Sequence, residues 1–244
     1  MKRTQDLSSI KRAVCGARRL LVITGAGVSA ESGIPTFRDV DGWWKTYRPE
    51  ELATKEAFSR DPAEVWRWYD MRRALIAGAE PNSAHRALAR LEAAERYVAI
   101  ITQNVDDLHE RAGNRNIIHV HGSIWQLRCT AEGTVFEDHR VPLPVIPPRC
   151  PCGQIARPNI VWWDEELDPL VTLRVDALVR ESFDLVLAVG TDAVFDYIRQ
   201  WALTAKAGGA LLGELNLRTT ALTPAVDVHI EGKAGEVLDA ILPD

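Results

Sequence analysis

Leu21–Asp39 reads LVITGAGVSAESGIPTFRD, an apolar run that ends in Gly25, Ala26 and Gly27 and continues through the small residues Ser29, Ala30 and Ser32. Gly25, Gly27 and Ala30 stand in the spacing G-x-G-x-x-A behind a strand-like segment. In that arrangement glycines permit a tight turn and let backbone N–H groups approach a pyrophosphate. A tight turn without a ligand is the plain alternative, because glycine punctuates turns freely. The usual dinucleotide fingerprint adds an acidic residue at the end of the next strand, about 20 residues on, to hold a ribose. Here that region is PTFRDVDGWWKTYRPEE, residues 35–51, which does not read as a strand. A standard hydride-transferring dehydrogenase is therefore disfavoured. The segment GELN, ending a later strand at Asn216, is the candidate for the ribose contact.

Similar apolar runs recur at RLLVITG (19–25), RYVAIITQN (96–104), NIIHVHG (116–122), FDLVLAVG (183–190), ALLGELN (210–216) and VDVHI (226–230), with helical stretches between most of them. Runs apolar on both faces suit strands of a parallel sheet covered by helices. The expected fold class is thus α/β, a Rossmann-like doubly wound parallel sheet. In such sheets ligands bind beyond the carboxyl ends of the strands. Gly25–Gly27, Thr102–Asn104, His121–Gly122 and Gly190–Thr191 each follow such a run, so they should converge on one crevice.

Two segments break the alternation. Residues 36–91 hold four of the eight tryptophans and the helical DPAEVWRWYDMRRALIAG, with Asp61 as N-cap and Pro62 at the first helical position. They read as a helical insertion. Residues 128–157 are rich in proline and hold three of the four cysteines, as a small Cys-containing, zinc-ribbon-like module would. The expected division is a Rossmann-like domain of residues 1–35, 92–127 and 158–244, with 36–91 and 128–157 forming the smaller domain.

At 244 residues and 46% hydrophobic, the chain can bury one substantial core. A formal charge of −5, with both signs interspersed, gives no footprint for direct nucleic-acid binding and no polybasic membrane patch. No apolar run approaches the roughly 20 residues that span a bilayer. The apolar run near the N-terminus leads straight into the glycine loop and reads as a buried strand, not a signal peptide. A soluble, cytoplasmic protein with protein partners is expected. Four cysteines without an export signal argue for metal or incidental use over disulfides.

GAGVSAESGIPTFR, TQNVDDLH, HVHG, RPNIVWW and VGT occur in one order over nearly the whole chain, and in this the sequence resembles the sirtuins, the NAD-dependent protein deacylases. The resemblance implies cleavage of the nicotinamide–ribose bond of NAD and transfer of an acyl group from a modified lysine to ADP-ribose. It implies Gly25, Ala26 and Gly27 at the pyrophosphate, Arg38 on the loop that closes over it, and Gln103, Asn104 and Asp106 at the ribose and carboxamide. Gly190, Thr191 and Asn216 complete the implied cofactor contacts. Asn104 and His121 are the implied catalytic residues, with His121 as base. An imidazole with a pKa near ~6.5 can take a hydroxyl proton at neutral pH. His119, two residues earlier, shares a face with it in a strand, so spacing alone does not separate them. His109 reads as structural, orienting the loop of Asn104 and Asp106.

In VWRWYDMRR, Tyr69 and Arg72 are three apart and share a helix face. They resemble the Tyr-x-x-Arg pair of sirtuins that remove succinyl and malonyl groups, and a guanidinium binds a carboxylate bidentately. Arg73 is the alternative if the register is off by one. Val161 lies where sirtuins pair their backbone with a substrate peptide. The departures are equally specific. Where the family has two C-x-x-C pairs for zinc, Cys129 is followed by Glu132, and the second pair is compressed to Cys150 and Cys152. Three thiolates completed by Glu132 or His139, or no metal, are the alternatives. Phe-Gly-Glu is Trp163-Asp164-Glu165 here, and Gly-Thr-Ser is Gly190-Thr191-Asp192, which brings a charge toward the dinucleotide. The altered peptide segment motivates a second reading, an ADP-ribosyltransferase or NAD hydrolase; Asp192 and the incomplete cysteine set motivate a third, a low-turnover NAD sensor.

Overall fold

The computed structural model describes residues 2–36 and 49–242. Helix α1 (Lys2–Gly16) leads into β1 (Arg19–Thr24). After the glycine loop come α2 (Pro49–Leu52), α3 (Lys55–Arg60), α4 (Pro62–Gly78) and α5 (Ser83–Ala93), followed by β2 (Tyr97–Thr102), α6 (Leu108–Ala112) and β3 (Ile117–His119). Strands β4 (Gly122–Cys129), β5 (Val135–Glu137) and β6 (Ala156–Ile160) precede α7 (Pro169–Leu178), β7 (Leu185–Val189), α8 (Asp196–Ala207), β8 (Leu211–Asn216), β9 (Val228–Glu231) and α9 (Ala234–Ile241).

Six strands form one sheet in the order β3-β2-β1-β7-β8-β9, with every pairing parallel. The chain starts in the middle, winds outward to β3, then returns to β7 beside β1. The strand order reverses between those two strands, which is where doubly wound sheets open a ligand crevice. Thr24 pairs with both Thr102 and Val189, so three strand ends finish side by side there.

Residues 20–23 of β1 are fully buried, and the pleat divides them between two cores. Leu20 and Val22 meet α1, α5 and α9 through Ile10, Val14, Leu88 and Leu238. Leu21 and Ile23 meet α7 and α8 through Val175, Ile198 and Trp201. This two-sided cover is why the strands read as unbroken apolar runs. Among the described residues, no helix is long and apolar enough to cross a membrane.

A third core joins α4 to the antiparallel sheet β5-β4-β6. Asp61 caps α4 as expected, accepting from Ala63 N and Glu64 N at 2.9 Å each. The buried face of the helix presents Val65, Trp66, Tyr69 and Ile76 to Ile124, Leu127 and Ala156. Packing divides the chain differently from the expected boundaries. Helix α5 lies inside the expected insertion 36–91, yet Ala84, Ala87, Leu88 and Leu91 pack into the main core. Strand β4, expected in the large domain, pairs with β5 and β6. Gly122 makes that departure: its φ of +81° suits glycine, and a Cβ there would overlap the Asn159 carbonyl.

Candidate functional site

The glycine turn after β1 is built against the loop after β7. Gly25 N–H donates to the Val189 carbonyl at 3.2 Å, and Gly27 N–H to the Gly190 carbonyl at 2.9 Å. A Cβ on Gly27 would lie 2.8 Å from the Gly190 Cα, so the glycines are required by the contact between the two loops. Ala26–Val28 and Ala30–Ser32 then form successive 3-10 turns. The Gln103 amide donates to the Thr24 carbonyl at 3.1 Å and to Thr191 Oγ1 at 2.8 Å, and the Asn216 amide donates to the Thr191 carbonyl at 2.8 Å. Gly25, Ala26, Gly27, Gln103, Gly190, Thr191 and Asn216 therefore converge at the strand ends. Asn216 acts there by holding Thr191.

Behind the turn lies a buried polar cluster centred on Ser29, which the sequence reading did not single out. Its hydroxyl accepts from the Asn104 amide and donates to Asp106 Oδ2, each at 3.0 Å. His85 Nε2 is 3.4 Å away. His85 Nδ1 accepts from Asn82 N, so Nε2 carries the hydrogen and donates to Ser29. Asp106 also accepts from Leu108 N at 3.1 Å; burial nevertheless raises its carboxyl pKa above the ordinary value. His109 is 1% exposed, its Nε2 lies 3.2 Å from Thr24 Oγ1, and burial depresses its pKa to about 3. Thr24 in turn bonds Thr102, whose hydroxyl accepts from Asn104 N. The chain from His109 ends at the Asn104 backbone, in keeping with an orienting role.

The two histidines that spacing left equivalent differ in their partners. His119 meets the Asn104 carbonyl at 3.0 Å through Nδ1 and Glu110 Oε1 at 2.6 Å through Nε2. Burial disfavours its charge, but the carboxylate more than compensates and its pKa is raised. His121 meets the Gln103 carbonyl at 2.9 Å through Nδ1 and the Tyr197 hydroxyl at 2.7 Å through Nε2. No carboxylate opposes burial there, and its pKa falls to about 4. At neutral pH His121 is therefore neutral.

On α4, Tyr69 and Arg72 share one face. The Tyr69 ring is 1% exposed and its hydroxyl accepts from Trp162 Nε1 at 3.0 Å, which leaves its hydrogen available to another acceptor. Burial raises its pKa, so the phenol stays protonated. The half-buried Arg72 guanidinium lies over the Trp68 ring at 4.8 Å and the Tyr69 ring at 5.5 Å, within electrostatic reach of Asp106. Arg73 points the other way, fully buried, donating to the Ile124 and Asp138 carbonyls at 2.7 and 2.5 Å. The register alternative thus puts Arg73 in the small-domain core. Val161 N–H donates to the His121 carbonyl at 3.0 Å, tying the implied peptide segment to the histidine strand. Asp164 takes the glycine position at no backbone cost and accepts from Lys55 N at 2.9 Å, at the start of α3.

Cys129, Glu132, Cys150 and Cys152 offer ligand atoms all within 4.8 Å of one another and could hold a metal ion. Three thiolates and a carboxylate fit zinc in its usual tetrahedral site. His139 is elsewhere, paired with Glu137 at 2.8 Å and stacked on Trp125 at 5.3 Å. Asp192 is turned to Arg218 at 3.4 Å, so its charge meets a cation. Arg38 lies outside the described residues. Tyr197 and Phe195, which close over His121, went unmarked in the sequence because their helix gave no local sign of facing the crevice.

Residues 25–196 match the model of the Sir2 family. NAD-dependent protein deacylase 1 of Archaeoglobus fulgidus is 46% identical over 232 residues, covering 95% of this chain and 94% of the relative. The crystal structure of a Sir2 homologue in complex with NAD superposes with a TM-score of 0.89 at 45% identity, covering 96% of this chain and 91% of the other. A Sir2 variant with a deacetylated p53 peptide and 3′-O-acetyl ADP-ribose superposes with a TM-score of 0.81 at 26% identity, covering 99% and 97%.

Proposed function

The chain belongs to the Sir2 family, and on that premise we propose that it is an NAD-dependent protein-lysine deacylase whose acyl pocket favours groups carrying a carboxylate. When bound, NAD would supply a ribose carbon from which nicotinamide leaves and a ribose hydroxyl to carry the acyl group as an ester, with one water consumed as the lysine amine is released. The donor set suits that molecule. The glycine turn and the Gly190 loop bring backbone without side chains to the β1–β7 switch point, and Asn104 and Asp106 together offer the donor and acceptor that a carboxamide needs. The observation that carries the reading is the neutral His121 at the rim of this crevice, its Nδ1 hydrogen held by the Gln103 carbonyl. Nε2 is thereby the nitrogen with a lone pair, able to take a ribose hydroxyl proton.

The pocket role of Tyr69 and Arg72 is supported by their shared face, the protonated phenol and a guanidinium that stays charged when buried. The substrates are acyl-lysine segments of proteins, lying along the backbone at Val161. We place the activity in the cytoplasm, where the thiols of Cys129, Cys150 and Cys152 stay reduced and free for metal. The test is NAD-dependent turnover of matched acetyl-lysine and succinyl-lysine peptides. Arg72→Met should cut succinyl kcat/KM by about 10- to 100-fold, the worth of a hydrogen-bonded charge at ~1.5–3 kcal/mol. Acetyl turnover should stay within about twofold. Equal losses on both peptides would remove the carboxylate-binding role.

A further inference from the structure

A neutral imidazole has one N–H and one lone pair. The Gln103 carbonyl, 2.9 Å from Nδ1 of His121, can only accept, so Nδ1 carries the hydrogen and Nε2 the lone pair. The Tyr197 oxygen lies 2.7 Å from Nε2, so the phenol donates to the same nitrogen that the base would use. Its position is well defined. The ring is stacked on Phe195, with centroids 5.3 Å apart and planes at 10°, and touches Trp201 at 5.1 Å. Phe195 meets the His121 ring edge-on at 5.8 Å and reaches Trp163, on the implied peptide segment, at 6.0 Å. Burial raises the phenol pKa above its ordinary value, which keeps it a donor.

We propose that Tyr197 is a positioning residue for the base, whose hydroxyl competes with the ribose hydroxyl for the single lone pair of His121. The proposal rests on the reading of His121 as the base. One lone pair cannot accept two full hydrogen bonds, so engagement of the ribose requires the phenol to yield. Tyr197 stands in the first turn of α8, directly after the loop that carries Thr191 and Asp192. A movement of this loop toward the dinucleotide would therefore carry the phenol with it. The aromatic contact from Phe195 to Trp163 links the same hydroxyl to the peptide side of the crevice. Peptide binding at that segment thus has a direct route to the availability of the base.

Tyr197→Phe keeps the stacked ring and removes the competing donor. Its kcat/KM for NAD should rise about fivefold, the worth of one ordinary hydrogen bond; an unchanged or lower value overturns the proposal. The gain should vanish in a His121→Ala background, where the double variant should share the residual rate of His121→Ala, and a persistent gain overturns the proposal. Full activity of His121→Ala would overturn the underlying base reading instead. A measurement independent of turnover is the ¹⁵N resonance of His121 Nε2. It should move between wild type and Tyr197→Phe, and move in wild type when NAD is added. Coincident resonances in the two proteins would show that the phenol does not hold the lone pair.

Discussion

His119 and His121 sit two residues apart and diverge because their Nε2 atoms meet different groups, a carboxylate at 2.6 Å in one and a phenol at 2.7 Å in the other. The first stabilises imidazolium and the second stabilises the neutral ring. The sign of the pH dependence follows. Burial takes the His121 pKa down to about 4, so as the proposed base it would be deprotonated above that value and lost only as pH falls through it. The acid limb of log kcat/KM should fall well below the ordinary histidine value near ~6.5, as measured in a pH–rate profile with succinyl-lysine peptide. An inflection at 6.5 or above would contradict the assignment. None of this was legible in HVHG, since Glu110 and Tyr197 reach the pair from separate helices. The same holds for Ser29. Its place in the glycine loop was plain, but its bonds to Asn104 and Asp106 span more than 70 positions of sequence. By contrast, the Asp61 cap and the shared face of Tyr69 and Arg72 depend on spacings of two or three residues, and the sequence stated them directly.

At the scale of elements, the six apolar runs all became strands of the parallel sheet, because burial on both faces leaves an unmistakable composition. What the runs do not encode is which layer a neighbouring element joins. The apolar stripe of α5 suits any sheet, and β4 alternates like any half-exposed strand; its pairing with β6 brings Gly122 against the Asn159 carbonyl, where a side chain would not fit. The cysteine module is a similar case. Sequence spacing left Glu132 and His139 equivalent as completing ligands, while the fold gathers Glu132 with the three thiols. The purified protein should carry close to one zinc per chain by elemental analysis, and Glu132→Ala should lose it to a chelator at lower concentration than wild type. Removal should lower the Tm, since metal binding to the folded form adds to folding free energy. A metal-free protein with an unchanged Tm in chelator would show that packing alone holds the module.

At the scale of the molecule, the proposed dinucleotide contacts lie at the ends of the parallel strands and the proposed acyl contacts on α4, with His121 between β3 and β4. The Asp192 charge that favoured a sensor reading is met by Arg218, and Asp164 accepts from the backbone at the start of α3. Transfer of an acyl group from lysine to ADP-ribose in this crevice is checked by its products. The most direct measurement is mass spectrometry of the products of one succinyl-lysine peptide incubated with NAD and the wild-type protein. Acyl transfer predicts free lysine peptide, nicotinamide and O-succinyl-ADP-ribose in equal amounts. ADP-ribosylated protein, or free ADP-ribose formed while the peptide stays acylated, would contradict it.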